Sequence, residues 1–179
     1  MSHRRSLPQA EVERRALELL RRFRLIHPPV DVDFLAKANG IRIERSDFGA
    51  DCSGILVRKD GRAVIGVNWA DPPVRQRFTV AHELAHYELH GGDTYVDRGQ
   101  YIVQFRDPSS GSGSKVEERE ANQFAAALLM PAPWVRQSFL EQPFDLTDDE
   151  SLRNLAARFQ VSTQAMSYRL GNLRLLEMA

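Results

Sequence analysis

Apolar residues recur at helical spacing in several separate stretches of the chain. Between Pro8 and Pro28 they return every three or four positions, with arginines on the opposite side, which predicts an amphipathic N-terminal helix. A shorter helix is predicted over residues 32–38. The same spacing predicts a central helix over residues 74–90 and another over residues 116–130, which ends where two prolines follow.

A period of two marks the strands. Residues 41–44 alternate between apolar and polar side chains, and residues 54–58 and 63–68 flank an Asp-Gly dipeptide at 60–61 that is typical of a two-residue hairpin turn. A further strand-like piece covers residues 101–105. These stretches predict a small antiparallel sheet, most of which precedes the central helix.

The C-terminal part of the chain has a different pattern. A capping box predicts a helix over residues 147–159, and a short turn separates it from a last helix over residues 163–176. We therefore expect an α+β fold with a main domain over residues 1–141 and a C-terminal helical, helix-turn-helix-like segment over residues 142–179.

Composition excludes several classes of protein. The 179 residues are 42% hydrophobic and 27% charged, as in ordinary globular domains. The longest apolar run, residues 124–130, is far shorter than the roughly 20 residues that span a bilayer, and arginines and glutamates recur through the N-terminus where a signal peptide would be apolar. The single cysteine, Cys52, fits a reducing compartment. We expect a cytoplasmic protein without a membrane partner.

Charge gives no general argument for nucleic-acid binding. The 24 basic and 24 acidic side chains balance, so the chain has no overall positive field that would attract phosphates.

One pentapeptide indicates chemistry. His82-Glu83-Leu84-Ala85-His86 lies within the predicted central helix. Two histidines four residues apart share one helical face, so both imidazoles can reach a single metal ion. The glutamate between them is rotated by about 100° from the first histidine, so it can act on water beside the metal without being a ligand. We expect Glu83 to be the catalytic residue.

A catalytic zinc site needs a third protein ligand, which the next helix supplies. Its first turns contain Glu117, Glu118 and Glu120, and Glu118 continues the stripe of small and apolar residues that must face the central helix. We therefore predict Glu118 as the third ligand and Asn122, one turn later, as the hydrogen-bond partner of a ligand imidazole. His90 is the competitor, but along a straight helix it lies about 12 Å beyond the first histidine, so we expect a capping or structural role.

The chain resembles the ImmA/IrrE family of zinc metallopeptidases. The resemblance covers residues 53–131 and depends most on two segments, RFTVAHELAHYELH at 77–90 and EREANQFAAALLMP at 118–131. It implies a zincin-like fold in which His82, His86 and Glu118 bind zinc and Glu83 is the catalytic carboxylate. Known relatives act on helix-turn-helix repressors, often in stress response or in the control of mobile elements.

These observations predict a zinc-dependent endopeptidase that cleaves a protein, expected to be a helix-turn-helix transcriptional repressor, by attack of zinc-activated water. A site of two histidines and one carboxylate also accepts Mn²⁺ or Fe²⁺, so the metal is left open. Residues 54–58 or 65–68 are candidates for binding an extended substrate by strand addition. The second donor to the oxyanion is left open among Tyr87, Tyr95, Tyr101 and Arg98.

The alternative functions involve the C-terminal helices. A DNA reader would place residues 163–169 in the major groove, but only Arg158, Arg169 and Arg174 lie close enough to contact phosphates. We consider direct DNA binding less favoured than packing of these helices on the peptidase or on its protein target. A DNA-binding regulator and a toxin–antitoxin-type interaction protein, each with a non-catalytic metal site, are the competing hypotheses.

Overall fold

A computed structural model describes residues 6–91, 94–97, 114–141 and 149–177. Within them, α+β architecture is confirmed. The helices are α1 (Gln9–Arg22), α2 (Val32–Ala38), α3 (Pro73–Leu89), α4 (Ser114–Leu129), α5 (Ala132–Leu140), α6 (Asp149–Phe159) and α7 (Thr163–Asn172), followed by a 3-10 turn at Leu175–Glu177. The strands are β1 (Ile41–Ser46), β2 (Gly54–Lys59), β3 (Arg62–Asn68) and β4 (Thr94–Asp97).

The sheet has the order β1-β3-β2-β4 and is mixed, which corrects the expectation of an antiparallel sheet. β2 and β3 form the predicted antiparallel hairpin, with Asp60 and Gly61 both at positive φ as a type I′ turn requires. β1, however, pairs with β3 in parallel. The reason is topological, because the chain reverses once between β1 and β2 and again at the hairpin turn.

The outer strands of the sheet are β1 and β4. β4 pairs antiparallel with β2 and was not predicted, while the predicted strand at 101–105 lies outside the described residues. Both edges of β2 and of β3 are occupied by neighbouring strands. The expectation that one of these two strands binds an extended substrate by strand addition is therefore wrong.

α3 lies in the middle of the molecule. It contacts β2 and β3 on one side and α4 on the other, and α4 in turn packs on α1. Residues 79–86 of α3 are all buried, the polar side chains as well as the apolar ones. The polar residues of this segment are therefore enclosed by the sheet and by α4.

The C-terminal helices pack on the rest of the chain. Arg77 of α3 donates from Nε to the carbonyl of Gln160 (3.2 Å) in the turn between α6 and α7, and Arg136 of α5 donates to the carbonyl of Leu173 (3.1 Å). α7 ends at Asn172, a turn earlier than predicted. The division at residues 141 and 142 stays a prediction. Among the described helices none has the length and apolar character needed to cross a bilayer.

Candidate metal centre

The two histidines of the pentapeptide converge on α3. His82 and His86 lie one helical turn apart, with side chains only 1% exposed. Their Nε2 atoms are 3.0 Å apart. The i, i+4 spacing on a continuous helix brings the two rings to one point, as the sequence predicted.

Glu118 reaches the same point from α4. Its carboxylate oxygens lie 3.2 Å from Nε2 of His82 and 3.2 Å from Nε2 of His86. Ala121 and Ala125, on the same face of α4, are fully buried. Small side chains there permit close approach of α3 and α4, which allows a carboxylate on one helix to meet imidazoles on the other.

The three side chains fit a divalent metal. The candidate ligand atoms of His82, His86 and Glu118 all lie within 4.8 Å of one another. Tetrahedral ligands at zinc bond lengths of about 2.1 Å are separated by about 3.4 Å, close to the separations found here. Three electron-pair donors at this spacing repel each other unless a cation or a proton lies between them.

Asn122 holds one of the imidazoles. Its Oδ1 lies 3.1 Å from Nδ1 of His82. Because an amide oxygen only accepts, Nδ1 of His82 carries a proton, and in the neutral ring Nε2 then has the lone pair that a metal can bind. The structure thus brings Asn122 to the position at which the sequence placed it.

Burial and mutual contact shift the pKa values of the site. Burial lowers the pKa of His86, and its hydrogen bond to Glu118 offsets only part of that effect. Partial burial alone would raise the pKa of Glu118, but hydrogen bonds to His82 and His86 outweigh it and hold the pKa well below its usual value. At neutral pH both shifts favour a neutral imidazole and an ionised carboxylate, the forms that bind a metal.

Glu83 lies between the two histidines on α3 and is fully buried. It faces the start of β2, where Gly54 has no side chain. A Cβ at Gly54 would come within 3.4 Å of Oε1 of Glu83 and would overlap the methyl group of Thr79. The glycine thus lets the sheet approach the helix at the residue predicted to be catalytic.

His90 caps α3, in agreement with the capping or structural role expected for it, but its contacts with His86 and with Glu120, one of the three glutamates considered as ligands, were not predicted. His90 ends α3 and its Nδ1 lies 2.9 Å from Nδ1 of His86, while its Nε2 lies 3.1 Å from Oε2 of Glu120. The continued four-residue spacing of histidines was the available signal for His90. Nothing local in the sequence joins His90 to Glu120.

Arg58 of β2 was also missed. Its guanidinium donates to the carbonyls of His86 (3.0 Å) and His90 (2.9 Å) and stacks over the ring of Tyr87, 4.6 Å from the centroid. It therefore fixes the C-terminal end of the histidine-bearing helix to the sheet. A single arginine in a strand carries no sequence signal for such a contact.

Of the four candidate oxyanion donors, Tyr87 is stacked on Arg58. Tyr95 lies in β4, and Arg98 and Tyr101 lie outside the described residues. The choice among these donors stays open.

Two of the three arginines proposed to contact DNA are engaged within the protein. Arg169 is 3% exposed and donates from Nε to the carbonyl of Met130 (2.9 Å) and from Nη2 to Glu13 (2.8 Å). Arg158 forms an ion pair with Glu141 at 2.8 Å. This arrangement favours packing of the C-terminal helices on the protein over contact with DNA.

Fold and site together define a class. A buried helix with the HExxH pattern, a carboxylate from the following helix and a small sheet against the glutamate are the arrangement of zincin-like metallopeptidases. Residues 36–171 match the model of the peptidase M78 family, described as the IrrE N-terminal-like domain. The chain belongs to this family.

Individual proteins are similar to the chain as well. The chain is 38% identical over 108 residues to the radiation response metalloprotease IrrE of Deinococcus radiodurans, a match that covers 60% of this chain but 30% of that protein. A Mycobacterium tuberculosis transcriptional regulator has a similar structure, with a TM-score of 0.60 and 21% identity over 90% of this chain and 46% of the other. The second similarity concerns the fold.

Proposed function

We propose that this protein is a zinc-dependent endopeptidase in which His82, His86 and Glu118 bind the metal and Glu83 is the catalytic residue. The observation that carries the proposal is the convergence of three ligand atoms within 4.8 Å, beside a glutamate on the same helix. Membership of a peptidase family supports a protein substrate.

The metal, when bound, supplies Lewis acidity that polarises a peptide carbonyl and makes water acidic enough to lose a proton near neutral pH. Glu83 accepts that proton as the water oxygen adds to the carbonyl carbon. The same carboxyl then gives the proton to the leaving nitrogen as the C–N bond breaks. Oδ1 of Asn122 accepts a hydrogen bond from Nδ1–H of His82, which keeps the lone pair of Nε2 directed at the site.

Zinc is the metal we propose, with Mn²⁺ and Fe²⁺ as the alternatives that the same ligand set admits. Metal analysis of the purified protein distinguishes them. Because the chain spans 30% of the length of IrrE, the activity and substrate of that whole protein are carried over only as a proposal.

The substrate we propose is a helix-turn-helix transcriptional repressor, on the resemblance to the ImmA/IrrE family. The name of that relative, radiation response metalloprotease, agrees with a role in stress response. A cytoplasmic location follows from such a substrate and stays part of the proposal.

The test uses a Glu83→Gln variant with purified candidate repressors. We expect the variant to bind zinc like the wild type and to cleave at a rate lower by about 10²–10⁴-fold, because removal of a general base costs that much. Glu88→Gln is the matched control, since Glu88 lies on the same helix but faces Arg22 at 3.8 Å.

Mass spectrometry of the products identifies the cleaved bond, and removal and return of zinc should abolish and restore cleavage. A Glu83→Gln variant that cleaves like the wild type would contradict the catalytic assignment. Cleavage of an unfolded protein but of no repressor would support peptidase activity and contradict the proposal that the substrate is a repressor.

A further inference from the structure

A chain of buried polar groups extends from His86 away from the proposed metal. Nδ1 of His86 lies 2.9 Å from Nδ1 of His90, and Nε2 of His90 lies 3.1 Å from Oε2 of Glu120. The other oxygen of Glu120 accepts the backbone N–H of Leu7 at 2.7 Å. This series of hydrogen bonds thus connects the N-terminal segment, α4 and the end of α3.

All the side chains of this hydrogen-bonded series are buried. His86 is 1% exposed, His90 3% and Glu120 1%. Buried polar groups are stable only when their hydrogen bonds are made with correct donors and acceptors, so their order is constrained.

The order of protons along the chain follows from one end. Oε1 of Glu120 already accepts the N–H of Leu7, and a carboxylate that accepts at Oε2 as well takes Nε2 of His90 as its second donor. In the neutral ring of His90 the lone pair is then at Nδ1, where it accepts a hydrogen bond from Nδ1–H of His86. With its proton at Nδ1, His86 has its lone pair at Nε2, the atom 3.2 Å from Glu118.

We propose that His90 and Glu120 are positioning residues that hold His86 in its metal-binding tautomer and orientation. Asn122 fixes the proton of His82 at Nδ1 directly. His90 and Glu120 fix the proton of His86 in the same way through two hydrogen bonds in series, and Glu120 is itself held by the N–H of Leu7. The inference rests on the proposed function, since it assumes that His86 binds the metal through Nε2.

The test measures zinc affinity of the full chain by competition with a chromogenic chelator. We expect His90→Leu to weaken zinc binding by about 10–100-fold, the range found when partners of metal-binding histidines are removed. His90→Asn places an amide oxygen near the position of Nδ1, so it should recover affinity to within about threefold of the wild type. Leu89→Ala is the control, because it disturbs packing at the neighbouring, 7% exposed position of the same helix.

Two further measurements keep the test decisive. If His90→Leu does not fold, Glu120→Gln replaces it, because the nearly isosteric amide cannot accept from both donors and should also weaken zinc binding by about tenfold or more. Long-range ¹H–¹⁵N spectra of the zinc-loaded wild type should show His86 protonated at Nδ1 and bonded to the metal through Nε2.

Protonation of His86 at Nε2 in those spectra, or wild-type affinity in the variant that folds, would overturn the inference. A wild-type chain that binds no zinc would instead contradict the proposed function itself. The two failures are therefore distinguishable.

Discussion

At the scale of single residues, the candidate site depends on the protonation state of a few buried groups. Burial lowers the pKa of His86, so its imidazole stays neutral in the folded protein at pH values where an exposed histidine takes up a proton. A neutral imidazole is the form that binds a metal, so burial prepares the residue for its proposed role.

The same shift predicts how stability depends on pH in the metal-free protein. As the pH falls below about 6.5, His86 takes up a proton in the unfolded chain before it does so in the folded one, so folding becomes less favourable. The loss from this residue is at most about 1.4 kcal/mol per pH unit, because only one proton is involved. Urea unfolding at pH 7.5 and 5.5 measures it.

A His86→Asn variant should lose this part of the pH dependence, whereas His27→Asn, at an exposed position, should keep it. The same pH dependence in His86→Asn as in the wild type would show that another group causes the loss of stability.

At the scale of elements, contact between the sheet and α3 determines where Glu83 lies. The first residue of β2 is Gly54, and an added Cβ would come within 3.1 Å of the carbonyl of Gly66 as well as against Thr79 and Glu83. Backbone on one side and a buried helix on the other leave little room for adjustment. A glycine is required here for close approach, not for its backbone freedom.

We therefore expect Gly54→Ala to destabilise the protein by about 1–3 kcal/mol, the usual cost of overpacking, and to lower peptidase activity by pushing α3 away at Thr79, one turn before Glu83. Gly91→Ala is the matched control, since an added Cβ there meets nothing within 4 Å. Thermal or urea unfolding and the rate of substrate cleavage are the measurements. If Gly54→Ala were as stable and active as the control, the sheet would not position Glu83.

At the scale of the whole molecule, the C-terminal helices are joined to the first helix and to the end of α4. Arg169 of α7 bonds to Glu13 of α1 and to the carbonyl of Met130. A buried guanidinium is stable only with such partners, so this side chain is committed to the fold.

Replacement of Arg169 by Met should lower the free energy of unfolding by about 1–3 kcal/mol, the range for charged hydrogen bonds. Binding to duplex DNA should be the same for this variant as for the wild type. Arg174→Met, at an exposed position of the same segment, is the control and should leave stability unchanged. The DNA-binding hypothesis would instead be supported if the wild type bound duplex DNA in a salt-sensitive manner and the Arg169→Met variant, with full stability, had lost that binding.

Local patterns in the sequence were sufficient to predict most of the elements and the members of the metal cluster. Helical periodicity predicted α1, α2, α3 and α4, and the Asp-Gly turn predicted the β2–β3 hairpin. His82 and His86 share a face because of their spacing, and Glu118 was predicted from the stripe on its helix. These features depend on neighbours within a few residues, so the chain itself records them.

Tertiary structure alone decided the rest. The parallel pairing of β1 with β3, the contact of His90 with Glu120 and the bond from Arg169 to Glu13 join residues 22 to 156 positions apart. The closeness of Gly54 to Glu83 is of the same kind. Such contacts follow from how whole elements pack, and packing depends on the shape and volume of many side chains at once, which no local period encodes.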